Sequence, residues 1–175
     1  MYSIWVESSL NQLSDIKGII KTLSLEEDKE YFEPHVTLVT NLKTQHSAID
    51  IFDKIPRIRF DITFDEIQEG MTYFQRLFLT SKDNSNFQTA ITDIEGWPSL
   101  WIPHLSLYYG NELQKSYPSE DFDNLIPATV TFDTLVLSKT GPLVSEWKEI
   151  TTVNLGCARS FNFSDSNKKT GLRPV

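Results

Sequence analysis

The chain has 175 residues with 24 acidic against 16 basic, a formal charge of -8 at pH 7; that is enough for one domain with a sizeable core, and its charge argues against a long nucleic acid as partner. A lone cysteine, Cys157, excludes an internal disulfide and fits a reducing compartment. No apolar stretch reaches bilayer-spanning length and the first residues lack the basic flank and apolar run of a signal peptide, so a soluble, intracellular, cytoplasmic protein is expected.

Residues 2–7 are rich in β-formers, and Ser8 and Ser9 then offer caps to a segment with Leu10, Leu13, Ile16, Ile20 and Leu23 at helical spacing, which predicts strand then helix. A charged stretch, 26–30, reads as a loop. Pro34 admits a compact strand over 35–40, and Ala48, Ile49, Ile51, Phe52 and Ile55 predict a short helix after it. Ile58, Phe60, Ile62 and Phe64 alternate with polar neighbours as a half-buried strand does, with Gly70 as the expected turn. The pattern then repeats. Residues 75–81 predict a strand, Phe87, Ala90, Ile91 and Ile94 a helix, and 104–109 a strand entered through Pro103. A short helix near 119–124, a strand over 128–137 and a last strand over 147–153 follow. Residues 1–156 are thus read as one domain and the polar stretch 157–175 as a loosely held tail.

Two segments share one form. His35-Val36-Thr37-Leu38 and His104-Leu105-Ser106-Leu107 each run histidine, apolar, hydroxyl, apolar, directly after a proline. Alternate side chains on a strand share a face, so His35 should stand beside Thr37 and His104 beside Ser106, with the aliphatic residues in the core. If the two halves pack about a pseudo-twofold axis, two imidazoles and two hydroxyls meet in one cleft. That set suits the opening of a cyclic phosphodiester. The reaction needs a base for water, an acid for the departing oxygen and donors for the charged phosphate oxygens. Histidine, with an unperturbed pKa of about 6.5, can supply both proton roles near neutral pH, and no metal or cofactor is required. A histidine on a strand edge is ordinarily a plain hydrogen-bonded residue; it is the pairing, in corresponding elements of both halves, that favours chemistry. His46 has no such setting and is assigned to the surface.

At these motifs the chain resembles the two-histidine phosphoesterase superfamily, whose mark is a pair of H-x-[TS]-x motifs, over roughly residues 2–153. Within it the chain is similar to the cyclic phosphodiesterases of plants and fungi, on Tyr2-Ser3-Ile4-Trp5, Pro34-His35-Val36-Thr37-Leu38-Val39 and His104-Leu105-Ser106-Leu107-Tyr108-Tyr109-Gly110. The resemblance implies an α+β, bilobal, duplicated fold: two antiparallel sheets with outer helices, pseudo-twofold related around a central cleft. It also implies hydrolysis of ADP-ribose 1'',2''-cyclic phosphate and of nucleoside 2',3'-cyclic phosphates, the latter to 2'-phosphates, by catalytic His35 and His104, with His104 as base and His35 as acid. Thr37, Ser106, Trp5 and Tyr109 then become the substrate-binding residues, the two aromatics as stacking partners; Trp97, Trp101, Tyr31 and Phe32 are weaker candidates. Tyr109 can join the histidine face only if its strand ends or bends near Gly110.

The expected partner is a small cyclic nucleotide or ADP-ribose cyclic phosphate bound by a monomer. Two other readings stay open: an RNA-end enzyme, either a 2',5' RNA ligase or an RNA phosphodiesterase, and a non-catalytic nucleotide-binding module. The first wants a basic track for several phosphates, whereas only Lys54, Arg57 and Arg59 cluster here. The acidic stretch 26–33 bears on substrate size and affinity more than on the chemistry.

Overall fold

The computed structural model describes residues 1–9, 11–82, 102–113, 122 and 124–156. The expected helix around Phe87–Ile94, all of the one near 119–124 except 122 and 124, the aromatics Trp97 and Trp101, Leu10 and the tail with Cys157 lie outside the described residues.

Among those described, nine strands and two helices follow in the order β1 Tyr2–Glu7, α1 Ser14–Glu26, β2 Val36–Leu42, α2 Gln45–Lys54, β3 Phe60–Phe64, β4 Glu66–Thr72, β5 Gln75–Thr80, β6 His104–Tyr108, β7 Ala128–Phe132, β8 Thr134–Lys139 and β9 Lys148–Asn154. Seven strands form one antiparallel sheet in the order β4-β5-β6-β2-β1-β8-β9, and β3 pairs with β7 in a separate antiparallel ribbon. The fold is therefore mostly sheet. The two sides of the large sheet, β4-β5-β6 and β2-β1-β8-β9, join where Val36 pairs with Leu105.

The period of two sorts the large sheet into a core face and a polar face. Ile4 and Val6 of β1, Val36 and Leu38 of β2, Leu105 and Leu107 of β6, and Leu135 and Leu137 of β8 are buried in one hydrophobic core. Helix α1 packs on β6 and α2 on β1, β2 and β8. Ile16, Ile20 and Leu23 of α1, and Ala48 and Phe52 of α2, fall on one stripe of each helix and enter the same core. Each fully buried aliphatic of this kind contributes on the order of 2 kcal/mol. Thr44 caps α2, its hydroxyl accepting from Ser47 N–H at 3.1 Å.

Three expectations need correction. Ser9 does not cap α1: its N–H and hydroxyl both go to the Asp133 carboxylate, at 2.8 and 2.6 Å, and a 3-10 turn, Asn11–Leu13, leads into the helix. The expected strand 128–137 is two strands in different sheets, broken at Asp133, whose carboxylate is held by Ser9 and whose N–H reaches the Glu7 carbonyl at 3.0 Å. Gly70 is not a turn but lies inside β4, a strand missed because Glu66–Thr72 has no clean apolar alternation. The strand is irregular between Glu69 and Thr72, and a Cβ at Gly70 would lie 2.0 Å from the Gln75 carbonyl oxygen, so only glycine allows that approach.

No described helix is long and apolar enough to cross a membrane. His46 is on the surface as expected, 3.4 Å from Asp50 with its side chain 90% exposed.

Candidate active site

The Val36–Leu105 pair positions the site. Its two residues point to the core, and in antiparallel order the next residues to either side bring His35 opposite Ser106 and Thr37 opposite His104. Of these four, only His35 lines the cleft described below. A register shift in the β1–β2 pairing brings Trp5 opposite Thr37, so that Trp5 joins this face as well.

Both histidines are wired alike. His35 Nδ1 lies 2.7 Å from the Glu33 carbonyl and His104 Nδ1 lies 3.4 Å from the Ile102 carbonyl, in each case two residues upstream across the proline. A carbonyl oxygen only accepts, so His35 Nδ1 donates to Glu33 and its Nε2 presents the lone pair. The prolines have a reason here. They hold the preceding residue extended, which fixes the carbonyl that orients the ring.

The neighbours of Nε2 differ. The Tyr109 hydroxyl is 3.4 Å from His35 Nε2, and the Gln75 amide nitrogen lies against the His104 ring, 3.0 Å from Nε2 and 3.4 Å from Nδ1. His35 is only 6% exposed. Burial, with a contribution from the His104 charge, pushes its pKa down to about 4. Burial lowers that of His104 too, opposed by the Ile102 carbonyl. The charge of His104 thus reaches His35.

Strand β6 ends at Tyr108, and Tyr109 does turn toward the histidine face. Its ring is enclosed, stacked on Phe32 at 3.8 Å and 15° and flanked by Phe74 and Trp147, so what it offers His35 is the hydroxyl. That hydroxyl also meets the side chain of Ser106, and burial holds it well above its ordinary pKa. Gly110 follows because Tyr108 lies over it: a Cβ there would come within 2.3 Å of the Tyr108 oxygen. Ser106 donates to the Phe74 carbonyl at 2.8 Å.

Trp5 tilts over His35 at 4.8 Å, is 7% exposed, and donates its indole N–H to Glu7 at 2.6 Å. Around them opens a cleft of about 340 Å³, of the size small-molecule sites take. Phe32, Tyr31 and Trp147 line it with Trp5 and His35, and Glu7, Glu33 and Glu149 give it acidic walls. Burial raises the Glu7 pKa, and the charges of Glu149 and Glu33 add to this. Sequence reasoning named Tyr31 and Phe32 only as weaker candidates and missed Trp147, Phe74 and Gln75. Trp147 precedes β9, and Phe74 and Gln75 sit at a hairpin tip; no motif marks any of them, and long-range strand pairing brings them here. Among the described residues no group of three or more His, Cys, Asp or Glu is placed to hold a metal ion.

Two histidines at matching positions of adjacent antiparallel strands, each with Nδ1 toward the carbonyl two residues upstream, are what a two-histidine phosphoesterase presents. Residues 1–94, more than half of the chain, match the family described as cyclic phosphodiesterase-like protein, and the chain belongs to that family of phosphodiesterases. The matched span holds the first motif. No curated protein matches the chain. The fold is shared with E. coli LigT: its complex with 3'-AMP aligns with a TM-score of 0.53 at 11% identity over 88% of this chain and 97% of that one, and its apo form with 0.58 at 9% over 90% and 97%. A structure described as a phosphoesterase aligns with 0.54 at 10% over 88% and 97%.

Proposed function

We propose that this protein hydrolyses small cyclic phosphodiesters, ADP-ribose 1'',2''-cyclic phosphate to ADP-ribose 1''-phosphate and nucleoside 2',3'-cyclic phosphates to 2'-phosphates, without a metal ion. The observation that carries the reading is that His35 and His104 stand at matching positions of two strands paired at Val36 and Leu105, each with Nδ1 near the carbonyl two residues upstream.

His104 Nε2 takes a proton from water as the water oxygen attacks phosphorus. The bond from phosphorus to the 3' oxygen breaks, and His35 Nε2–H gives that oxygen its proton, leaving a 2'-phosphate. Thr37 and Ser106 donate to the non-bridging oxygens where charge builds, Ser106 by rotating its hydroxyl away from the Phe74 carbonyl. Buried His35 is neutral near pH 7, and the negative phosphate is what lets it hold the proton it must give. Trp5 and Trp147 form aromatic walls for the base or ribose. On this reading the sheet is a duplicated, bilobal structure whose pseudo-twofold axis passes by the Val36–Leu105 pair.

LigT has been crystallised with 3'-AMP, ATP and NADP+; carried to this chain, that supports a small nucleotide as ligand. The cleft volume and the three glutamates around it also favour a ligand with few phosphates over an RNA end. The test is to incubate purified protein with EDTA and, separately, a 2',3'-cyclic nucleotide, ADP-ribose 1'',2''-cyclic phosphate and a short RNA bearing a 2',3'-cyclic end. Chelator-resistant opening of the small substrates, with 2'-phosphates from the nucleotide, is expected. Turnover of the RNA alone, or none of any, contradicts the proposal.

A further inference from the structure

A second groove, of about 660 Å³, runs along α1 and adjoins the cleft at His35, with Tyr31 lining both. Among the described residues this groove is lined by Lys17, Lys21 and Lys29 and by no carboxylate, in a chain whose net charge is -8. Its sign is thus opposite to that of the protein and of the glutamates in the cleft beside it. Lys17 marks the border. It pairs with Glu33 of the cleft at 2.8 Å, and the Tyr31 hydroxyl donates to the same carboxylate at 3.0 Å.

Local structure gathers the three lysines. Lys17 and Lys21 stand one turn apart on one face of α1. The helix then ends with Asp28 in the left-handed region at φ 52°, and Lys29 N–H returns to the Ser24 carbonyl at 2.8 Å, which folds Lys29 back onto the last turn. Gly18 lies between the first two lysines. A Cβ there would meet nothing within 4 Å, so packing does not call for a glycine that weakens the helix, and the groove stays open at that point.

Lys17 is neutralised by Glu33, whereas the ammonium groups of Lys21 and Lys29 have no ion pair or hydrogen bond among the described residues. A pair of such charges suits a phosphate group, which lysine binds as a point charge. The positive surface does not go on from there as a track for a polynucleotide: Arg57, of the other basic cluster, pairs with Asp53 at 3.5 Å and lies over Phe52.

We infer that the groove along α1 is a second anion subsite, which holds a diphosphate joined through one ribose to the cyclic phosphate at His35. The inference rests on the function proposed above and adds a preference to it. A substrate whose cyclised ribose carries a 5'-diphosphate, as in ADP-ribose 1'',2''-cyclic phosphate, is favoured over a plain nucleoside 2',3'-cyclic phosphate.

The test uses a Lys21→Gln, Lys29→Gln double variant, which removes the two unpaired charges from exposed positions and keeps the Lys17–Glu33 pair. The ratio of kcat/KM on ADP-ribose 1'',2''-cyclic phosphate to that on adenosine 2',3'-cyclic phosphate should fall roughly tenfold, through KM, for two exposed charge contacts. Added salt should narrow the same ratio in wild type. An unchanged ratio in the variant overturns the inference. So does a short RNA with a 2',3'-cyclic end that loses more than the ADP-ribose substrate does, because the groove would then belong to RNA. Calorimetry with ADP-ribose, which has the diphosphate but no cyclic phosphate, keeps this separate from catalysis. Wild type that turns over neither substrate contradicts the proposed function, while ADP-ribose binding weakened roughly tenfold in the variant would still uphold the groove. Equal binding by both proteins, or none by wild type, would overturn it.

Discussion

Binding of a phosphate should raise the pKa of His35 steeply, by an amount that follows from its surroundings. The ring is buried with Nδ1–H on the Glu33 carbonyl, and burial sets its pKa at about 4. Such a ring has no proton to give at neutral pH. A phosphodiester brings one negative charge, and with its oxygen against Nε2 the two charges lie about 4 Å apart. At an effective dielectric constant of about 20 their attraction is about 4 kcal/mol. Since about 1.4 kcal/mol corresponds to one pKa unit, the ring should then titrate near about 7. Only three histidines are present, so few imidazole resonances need assignment. The assay is NMR titration of the imidazole resonances, free and saturated with a nucleoside 2'-phosphate. Kinetics should follow, with the kcat profile displaced to higher pH than kcat/KM, because the first reports the complex and the second the free enzyme. A His35 resonance that titrates at the same pH with and without ligand would refute this account of how the acid is charged.

The same burial makes stability depend on pH. Below about pH 6.5 the unfolded imidazole takes a proton that the folded one refuses down to about 4, so stability is lost as pH falls through that window, about 2 kcal/mol of it by pH 5. Urea unfolding at pH 7 and pH 5 should show that loss reduced by this amount in His35→Gln; an equal loss in both proteins contradicts it. Tyr109→Phe removes the hydroxyl beside His35 while keeping the ring stacked on Phe32, and should lower kcat with little change in thermal stability. Tyr109→Ala should also cost stability, which a melting curve will separate. Thr37→Ala and Ser106→Ala should each be milder than loss of a histidine, because one donor leaves a shared phosphate site while proton transfer stays intact; steady-state kinetics that rank them equal to a histidine variant would argue for a direct proton role.

The polar face was readable because the strand period forces it. Histidine, apolar, hydroxyl, apolar allows one sorting on a strand, and Val36, Leu38, Leu105 and Leu107 are indeed in the core. Helices α1 and α2 were readable from their stripes of Ile, Leu and Phe. What the pattern could not carry is pairing between distant strands. Glu66–Thr72 lacks alternation because it lies at the sheet's edge with little of it buried, and so β4 and the hairpin that brings Phe74 and Gln75 to the second motif went unseen. The break at Asp133 depends on Ser9, far away in the chain. Trp147 reached the cleft by the same kind of long-range route. The prolines before each histidine were visible, but that they place a carbonyl on Nδ1 is a matter of geometry.

The central claim is that His35 and His104 act as one unit on one phosphate. It is tested most directly by the turnover of a 2',3'-cyclic nucleotide by wild type, His35→Ala, His104→Ala and the double variant. Each single variant should lose at least about a hundredfold in kcat, and the double variant far less than the product of the two losses, because groups that act together are non-additive. Near-normal turnover by either single variant, or losses that multiply in the double, would contradict it.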